Sequence, residues 1–149
     1  MDHYKALNGV LVGLFREIMD IEGKAIITEE FKDITNNDMH VIEAIGVQEP
    51  RNMSSIARAM DVTVGTLTIA MNSLVKKGYV TRTRSEKDRR VVFIALTEKG
   101  KKAYDHHQRF HREMIDAVLS DLTEEETQVL ARALENLLKF FREKERRQD

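Results

Sequence analysis

Residues Asn52–Leu96 read NMSSIARAMDVTVGTLTIAMNSLVKKGYVTRTRSEKDRRVVFIAL, and their layout decides the fold. Asn52 suits a helix N-cap, and Met53–Met60 is a short helix that turns Ile56, Ala57 and Met60 inward. Asp61-Val62 makes a tight turn, Thr63 caps a second helix running to Lys77, and Gly78 fits the left-handed position that closes it. Tyr79–Arg84 and Val91–Leu96 are β-branched and aromatic runs separated by the charged loop Ser85–Arg90. The pattern predicts a helix-turn-helix followed by a two-stranded wing. A steep crossing of the two helices needs a small residue at the contact, which Ala57 supplies. It also needs apolar locking residues, here Ile56, Met60, Val62, Leu67 and Ala70.

The flanks are helical. Leu7, Val10, Leu11, Leu14, Phe15, Ile18 and Met19 form a broad apolar stripe on a helix expected from Leu7 to about Ile27. That stripe exceeds what a lone amphipathic helix needs, so the helix is expected to pack against a partner. Phe31-Lys32-Asp33-Ile34 is a connector, and Thr35 or Asn37 caps a helix through Ile45, closed by Gly46 and a turn at Pro50. Thr97 caps a fifth helix to about Ser120 with Tyr104, His107, His111, Met114, Ile115 and Val118 inward. Thr123-Glu124-Glu125-Glu126 is a capping box for a last helix, before a frayed tail at Arg142–Asp149. The expected class is mainly α with a small β-hairpin: six helices plus the wing. The expected division is an N-terminal dimerisation helix (1–34), a DNA-binding domain (35–97) and C-terminal dimerisation helices (98–149).

Composition narrows the function. Of 149 residues, 42% are hydrophobic and 33% charged, which suits an elongated helical protein that completes its core by dimerising. The chain lacks cysteine, which excludes disulfides, thiolate zinc sites and thiol redox sensing. No apolar run approaches the ~20 residues needed to span a bilayer, and Met1–Lys5 is too polar to begin a signal peptide, so a cytoplasmic location is expected. The formal net charge of -1 conceals an asymmetry: Arg51–Lys102 carries twelve Lys/Arg against four Asp/Glu, a balance of +8, and the remainder carries -9. A basic middle between acidic ends suits a localised polyanion site. Enzymatic motifs are missing: there is no Ser/His/Asp order, phosphate-cradling glycine loop or pair of inward carboxylates.

Periodicity divides the second helix of the motif. Leu67, Ala70, Met71 and Leu74 share the buried azimuth, and Gly65, Thr68, Ile69, Asn72, Ser73 and Lys76 lie opposite, with Thr66 on the border. Short hydroxylated side chains almost free of acids let such a face approach the major groove closely. The methyls of threonine and Ile69 can meet thymine methyls, which favours A·T-rich sites. Together with Thr63 at the cap, these residues are the candidate base and phosphate contacts. In the wing, Arg82, Arg84, Lys87, Arg89 and Arg90 crowd a hairpin whose tip suits a narrow minor groove. Asp88, two residues before Arg90, can pair with an arginine and fix its direction.

Asp88-Arg89-Arg90, the run Val91-Val92-Phe93-Ile94-Ala95-Leu96-Thr97-Glu98-Lys99-Gly100 and Leu74-Val75-Lys76-Lys77-Gly78-Tyr79 resemble the MarR family of bacterial repressors over the whole chain. The resemblance implies a triangular homodimer with interlocked terminal helices, recognition helices in successive major grooves and wing tips in minor grooves. It assigns the wing contact to Asp88 and Arg90. Phe31-Lys32-Asp33-Ile34, Met39-His40, Val64-Gly65-Thr66-Leu67-Thr68, Arg84-Ser85-Glu86 and Arg109-Phe110-His111 further resemble the FabT-type branch, repressors of fatty-acid synthesis genes. That branch implies an acyl chain on acyl carrier protein as effector, lodged among the dimer's helices. Phe15, Ile18, Met19, Ile42, Phe110 and Met114 are the pocket candidates, and the same residues suit a core.

Two alternatives stay open. His107 and His111 lie one helical turn apart, and with Glu22 and His40 they match in spacing the ligands of zinc-responsive MarR relatives. Alternatively the winged motif binds protein rather than DNA. The DNA reading expects a homodimer on a palindromic operator with half-sites about one helical turn (~10 bp) apart, and binding that weakens steeply with salt.

Overall fold

The computed structural model describes residues 2–26, 28 and 30–148, without the side chain of Ile26. The expected helix end at Ile27, the first residue of Met1–Lys5 and the tail residue Asp149 lie outside the described residues. The elements are α1 (His3–Ile26), α2 (Asn36–Ile45), β1 (Arg51–Asn52), α3 (Met53–Met60), α4 (Val64–Lys76), β2 (Val80–Arg84), β3 (Val92–Leu96), α5 (Glu98–Leu119) and α6 (Glu124–Arg146). Two compact units divide between Phe110 and His111.

Local chemistry sets the boundaries in the first unit. Thr35 and Asp38 form a reciprocal capping box on α2, with Asp38 N–H donating to Thr35 Oγ1 (3.0 Å) and Thr35 N–H to Asp38 Oδ2 (3.1 Å). Asn52 caps α3 by accepting from Ser55 N–H (2.8 Å). Asp61 ends α3 in the left-handed conformation (φ 54°), tolerable for a short polar side chain that can bond locally. Gly78 turns the chain from α4 into β2 with φ 86°.

The core sits beneath the helix-turn-helix. Met39, Ile42 and Ile45 of α2 meet Ile56 and Ala57 of α3, Leu67, Met71 and Leu74 of α4, and Tyr79, Ile94 and Leu96 of the sheet region. Each large side chain contributes about 1.5–3 kcal/mol by leaving water. Of the expected locking residues, Ile56 and Leu67 are buried and Met60 and Ala70 pack partly against them, whereas Val62 is 37% exposed. The turn carries Val62 past the helix contact.

The sheet has three strands in the order β1-β3-β2, not two. Arg82 pairs with Ile94 and Thr83 with Phe93, and on the other edge of β3 Arg51 pairs with Ile94 and Asn52 with Phe93. Two residues beside a helix cap carry no strand pattern of their own; the open edge of β3 recruits them. β1 also anchors Arg51, which donates through Nη2 to Ser55 Oγ (2.8 Å) and through Nη1 to the Ala44 carbonyl.

A polar joint ties the end of α4 to the connector before α2. Lys77 Nζ reaches Asp38 Oδ2 (2.8 Å) and the Asp33 carbonyl (2.7 Å), and Tyr79 Oη donates to Asp33 Oδ1 (2.6 Å). Lys99 Nζ lies 4.4 Å from the Tyr79 ring centroid. Thr97 Oγ1 donates to the Gly78 carbonyl (2.6 Å) and accepts from Gly100 N–H (3.1 Å), so the residue expected to cap α5 does so. The Tyr79 hydroxyl, buried and bound to Asp33, has its pKa raised, first by burial and then by this bond.

Tyr4, Leu7, Val10, Leu11, Leu14, Phe15 and Met19 of α1 are exposed. In the second unit, Thr123 and Glu126 form the expected capping box. Ile115 and Val118, expected to face inward, are exposed, as are Val129, Leu134, Leu138 and Phe141. A single chain therefore leaves its terminal-helix stripes uncovered. The expected frayed tail is instead helical through Arg146, because Arg142, Lys144 and Arg146 are good helix formers near the negative end of the helix dipole. No helix among the described residues is long and apolar enough to cross a membrane.

Candidate nucleic-acid interface

The first turn of α4 is set by Thr63. Its Oγ1 accepts from Thr66 N–H (3.1 Å) and donates to Thr66 Oγ1 (2.9 Å). Thr63, Val64, Gly65 and Thr66 are exposed, and a Cβ at Gly65 would meet only Thr63 Oγ1, at 3.9 Å. Ile69 stands 75% exposed between them and Asn72, a large apolar side chain in water on a face otherwise polar. Lys76 and Asn72 are exposed, while Thr68 and Ser73 are half-buried. The Thr68 hydroxyl donates back to the Val64 carbonyl (2.7 Å), so its methyl and acceptor lone pairs remain for a ligand.

β2 places Arg82 and Arg84 beside this helix. Arg82 Nη1 donates to Asn72 Oδ1, joining wing and helix, and Arg84 Nη1 donates to the Arg89 carbonyl (3.3 Å), bracing the loop from within. At the tip, Arg90 Nε and Nη2 each lie 3.1 Å from Asp88 Oδ1 and Oδ2, and Arg90 N–H also donates to Oδ1 (3.1 Å). This two-point fork holds a side chain that is 91% exposed. The Arg90 side chain, then its backbone N–H, keep the Asp88 carboxyl below its ordinary pKa. Lys87 and Arg89 are exposed beside it.

Between α4 and the wing lies a groove of about 710 Å³ lined by Asn52, Met53, Ser54, Arg58, Val64, Thr68, Arg82, Arg84, Arg90, Val91 and Val92. Four arginines and no carboxylate line it, which is the chemistry of a phosphate track. Sequence reasoning missed Ser54 and Arg58. Their signal was present: they are four residues apart, on the side of α3 away from Ile56 and Ala57, and both are exposed.

The effector-pocket candidates differ in their surroundings. Ile42 has no exposed surface and packs in the core. Phe15 and Met19 are exposed on α1, Ile18 and Phe110 are half-buried in the first unit, and Met114 is half-buried in the second. Of the candidate metal ligands, His107 is 2% exposed with Nε2 at 2.9 Å from Glu43 Oε1 and 3.4 Å from Glu22 Oε1, whereas His40 is exposed on α2. The fold thus adds a half-buried carboxylate partner, Glu43, not named from spacing.

A family model described as the MarR family matches residues 34–92. The HTH-type transcriptional regulator BilQ of Clostridium symbiosum is 32% identical over 125 residues, covering 83% of this chain and 85% of that protein. Among solved structures, Streptococcus pneumoniae FabT in complex with DNA is similar with a TM-score of 0.83 at 37% identity, over 94% of this chain and 98% of that one. The MepR–DNA complex of S. aureus gives a TM-score of 0.65 at 27% identity, over 86% and 96% respectively. With the arginine-lined groove beside α4, these similarities show that the chain belongs to the MarR family of winged helix-turn-helix transcriptional regulators, which bind DNA.

Proposed function

We propose that the protein is a homodimeric repressor that binds a palindromic operator, with Thr63, Gly65, Thr66, Thr68, Ile69, Asn72, Ser73 and Lys76 at the major groove. In this reading Arg82, Arg84, Lys87, Asp88, Arg89 and Arg90 serve the phosphates and minor groove, joined by Arg58. The observation that carries it is the carboxylate-free groove of four arginines that borders the start of α4 at Val64 and Thr68. Uncovered apolar stripes on α1 and α6 support the dimer, since a second copy would bury Leu7, Leu11 and Leu14 or Leu134 and Leu138. Light scattering of the purified chain should give twice the 17.2 kDa protomer mass; a monomer at micromolar concentration would remove the dimer.

The same reading places the protein over fatty-acid synthesis genes, with an acyl chain on acyl carrier protein as effector. Its support is the resemblance to FabT, together with a cleft of about 380 Å³ lined by Met19, Asp20, Gly23, Lys24, Ile34, Thr35 and Asn36 beside the α1 candidates. An effector acts only if it binds one spacing of the two recognition helices better than another. The test is operator affinity with long-chain acylated carrier protein against the unacylated carrier. Equal affinities would remove the effector assignment and leave DNA binding untouched.

A further inference from the structure

The contact between Arg82 and Asn72 constrains which base the recognition helix can read. An arginine has only donors, so the amide of Asn72 must turn Oδ1 toward Arg82 and Nδ2 away from it. An asparagine reading adenine uses both ends of its amide: Oδ1 accepts from the N6 amine and Nδ2 donates to N7. Here a guanidinium already takes one of the two lone pairs of that oxygen, so an N6 amine would have to share a partly neutralised acceptor and sit beside a positively charged donor, which disfavours adenine. Guanine presents two acceptors, O6 and N7, to the major groove. Both can be met by the outward Nδ2 of Asn72 and by a remaining N–H of Arg82. The neighbours do not alter this balance: Thr68 spends its hydroxyl hydrogen on the Val64 carbonyl, and no carboxylate lines the adjoining groove.

We propose that Asn72 and Arg82 act as one donor-only reading element that selects guanine at one position of each operator half-site, with Arg82 positioning the Asn72 amide. The proposal rests on the DNA-binding reading and adds to it a base identity and a residue on β2 that sets it. It also departs from the A·T preference that the threonines and Ile69 suggest, by placing one G·C pair within such a site.

The test is selection of bound duplexes from a pool with randomised half-sites, using the full-length protein and the variants Asn72→Ala, Arg82→Met and Arg82→Lys. Asn72 and Arg82 are both exposed, so all three variants should fold, which circular dichroism checks. The unaltered protein should enrich guanine about tenfold at one symmetric pair of positions, within the range a good paired base contact supplies. Asn72→Ala should erase the preference there and nowhere else. Arg82→Met, which frees Oδ1, should move it to adenine, and Arg82→Lys, which keeps a donor at the oxygen, should retain guanine. Adenine selected by the unaltered protein at the Asn72-dependent position, or a preference unchanged by Arg82→Met, overturns the proposal while leaving DNA binding intact. Absence of salt-sensitive binding to any duplex would overturn the DNA-binding reading itself.

Discussion

Replacing Gly100 with alanine should destabilise the lobe that carries the recognition helix, although helix propensity alone predicts the reverse. Gly100 lies in the first turn of α5, where alanine would ordinarily gain about 1 kcal/mol over glycine. A Cβ built there falls 2.2 Å from the Tyr79 carbonyl oxygen and 3.2 Å from two carbons of Leu96. The carbonyl must retreat by roughly 1 Å to reach ordinary contact. It is not free to do so, because it accepts Thr97 N–H (3.0 Å) and belongs to a residue fixed by the hydroxyl bond to Asp33. Overpacking of this kind costs about 1–3 kcal/mol, and a weakened backbone hydrogen bond adds about 1 kcal/mol. Set against the propensity gain, the net loss is about 2 kcal/mol, or a fall in Tm of about 4–8 °C for a chain of this size. Thermal and urea denaturation at fixed protein concentration would measure it. Gly65→Ala is the control, since its Cβ meets only Thr63 Oγ1 at 3.9 Å, and it should leave stability unchanged or raise it by up to ~1 kcal/mol. A Gly100→Ala protein as stable as the parent would refute the claim that α5 is seated directly on the backbone leaving the recognition helix.

Tyr79→Phe should change the pH profile of stability at both ends. The hydrogen bond from Tyr79 holds the Asp33 pKa down, so Asp33 contributes stability that is present above its unfolded value near pH 4 and lost as pH falls through the folded value. Tyr79 itself is raised, so its contribution is complete below pH ~10 and declines above it. Urea titrations across pH should show the parent's advantage over the Phe variant shrinking below pH 4 and above pH 10; parallel profiles would dismiss the Asp33–Tyr79 bond. Arg58→Ala should weaken binding to all duplexes similarly and lower the salt slope by about one, whereas a changed base preference would contradict a phosphate role. Asp88→Asn should loosen the fork on Arg90 and weaken operator binding with unchanged thermal stability, as read by anisotropy and calorimetry; full affinity would show that Arg90 needs no orienting partner.

Much of this architecture is legible in the chain because its signals are local. Thr35, Asn52, Thr63, Thr97 and Thr123 each cap the helix expected of them, since a cap needs only a side-chain oxygen and an N–H two or three residues on. The buried and exposed faces of α4 follow from a single period. What the sequence hides depends on distant pairing. β1 is too short to show a strand pattern and exists only because β3 has an open edge. Asp33, Asp38, Lys77 and Tyr79 meet across 39 to 46 residues, beyond any local pattern. Arg82 and Asn72 stand in the sequence as separate candidates, and no local pattern pairs them with each other. An apolar helix position such as Ile42 reads the same in the sequence whether it faces a core or a pocket.

In the proposed function, the arginine-lined groove beside α4 and the wing is a duplex-binding surface. Its most direct test is anisotropy with a labelled palindromic duplex, titrated at several salt concentrations with the parent protein and with Arg90→Ala. Log affinity should fall linearly with log salt, steeply enough for several phosphate contacts, and Arg90→Ala should bind the operator more weakly. Binding that is insensitive to salt, or an Arg90→Ala protein with full operator affinity, would contradict it.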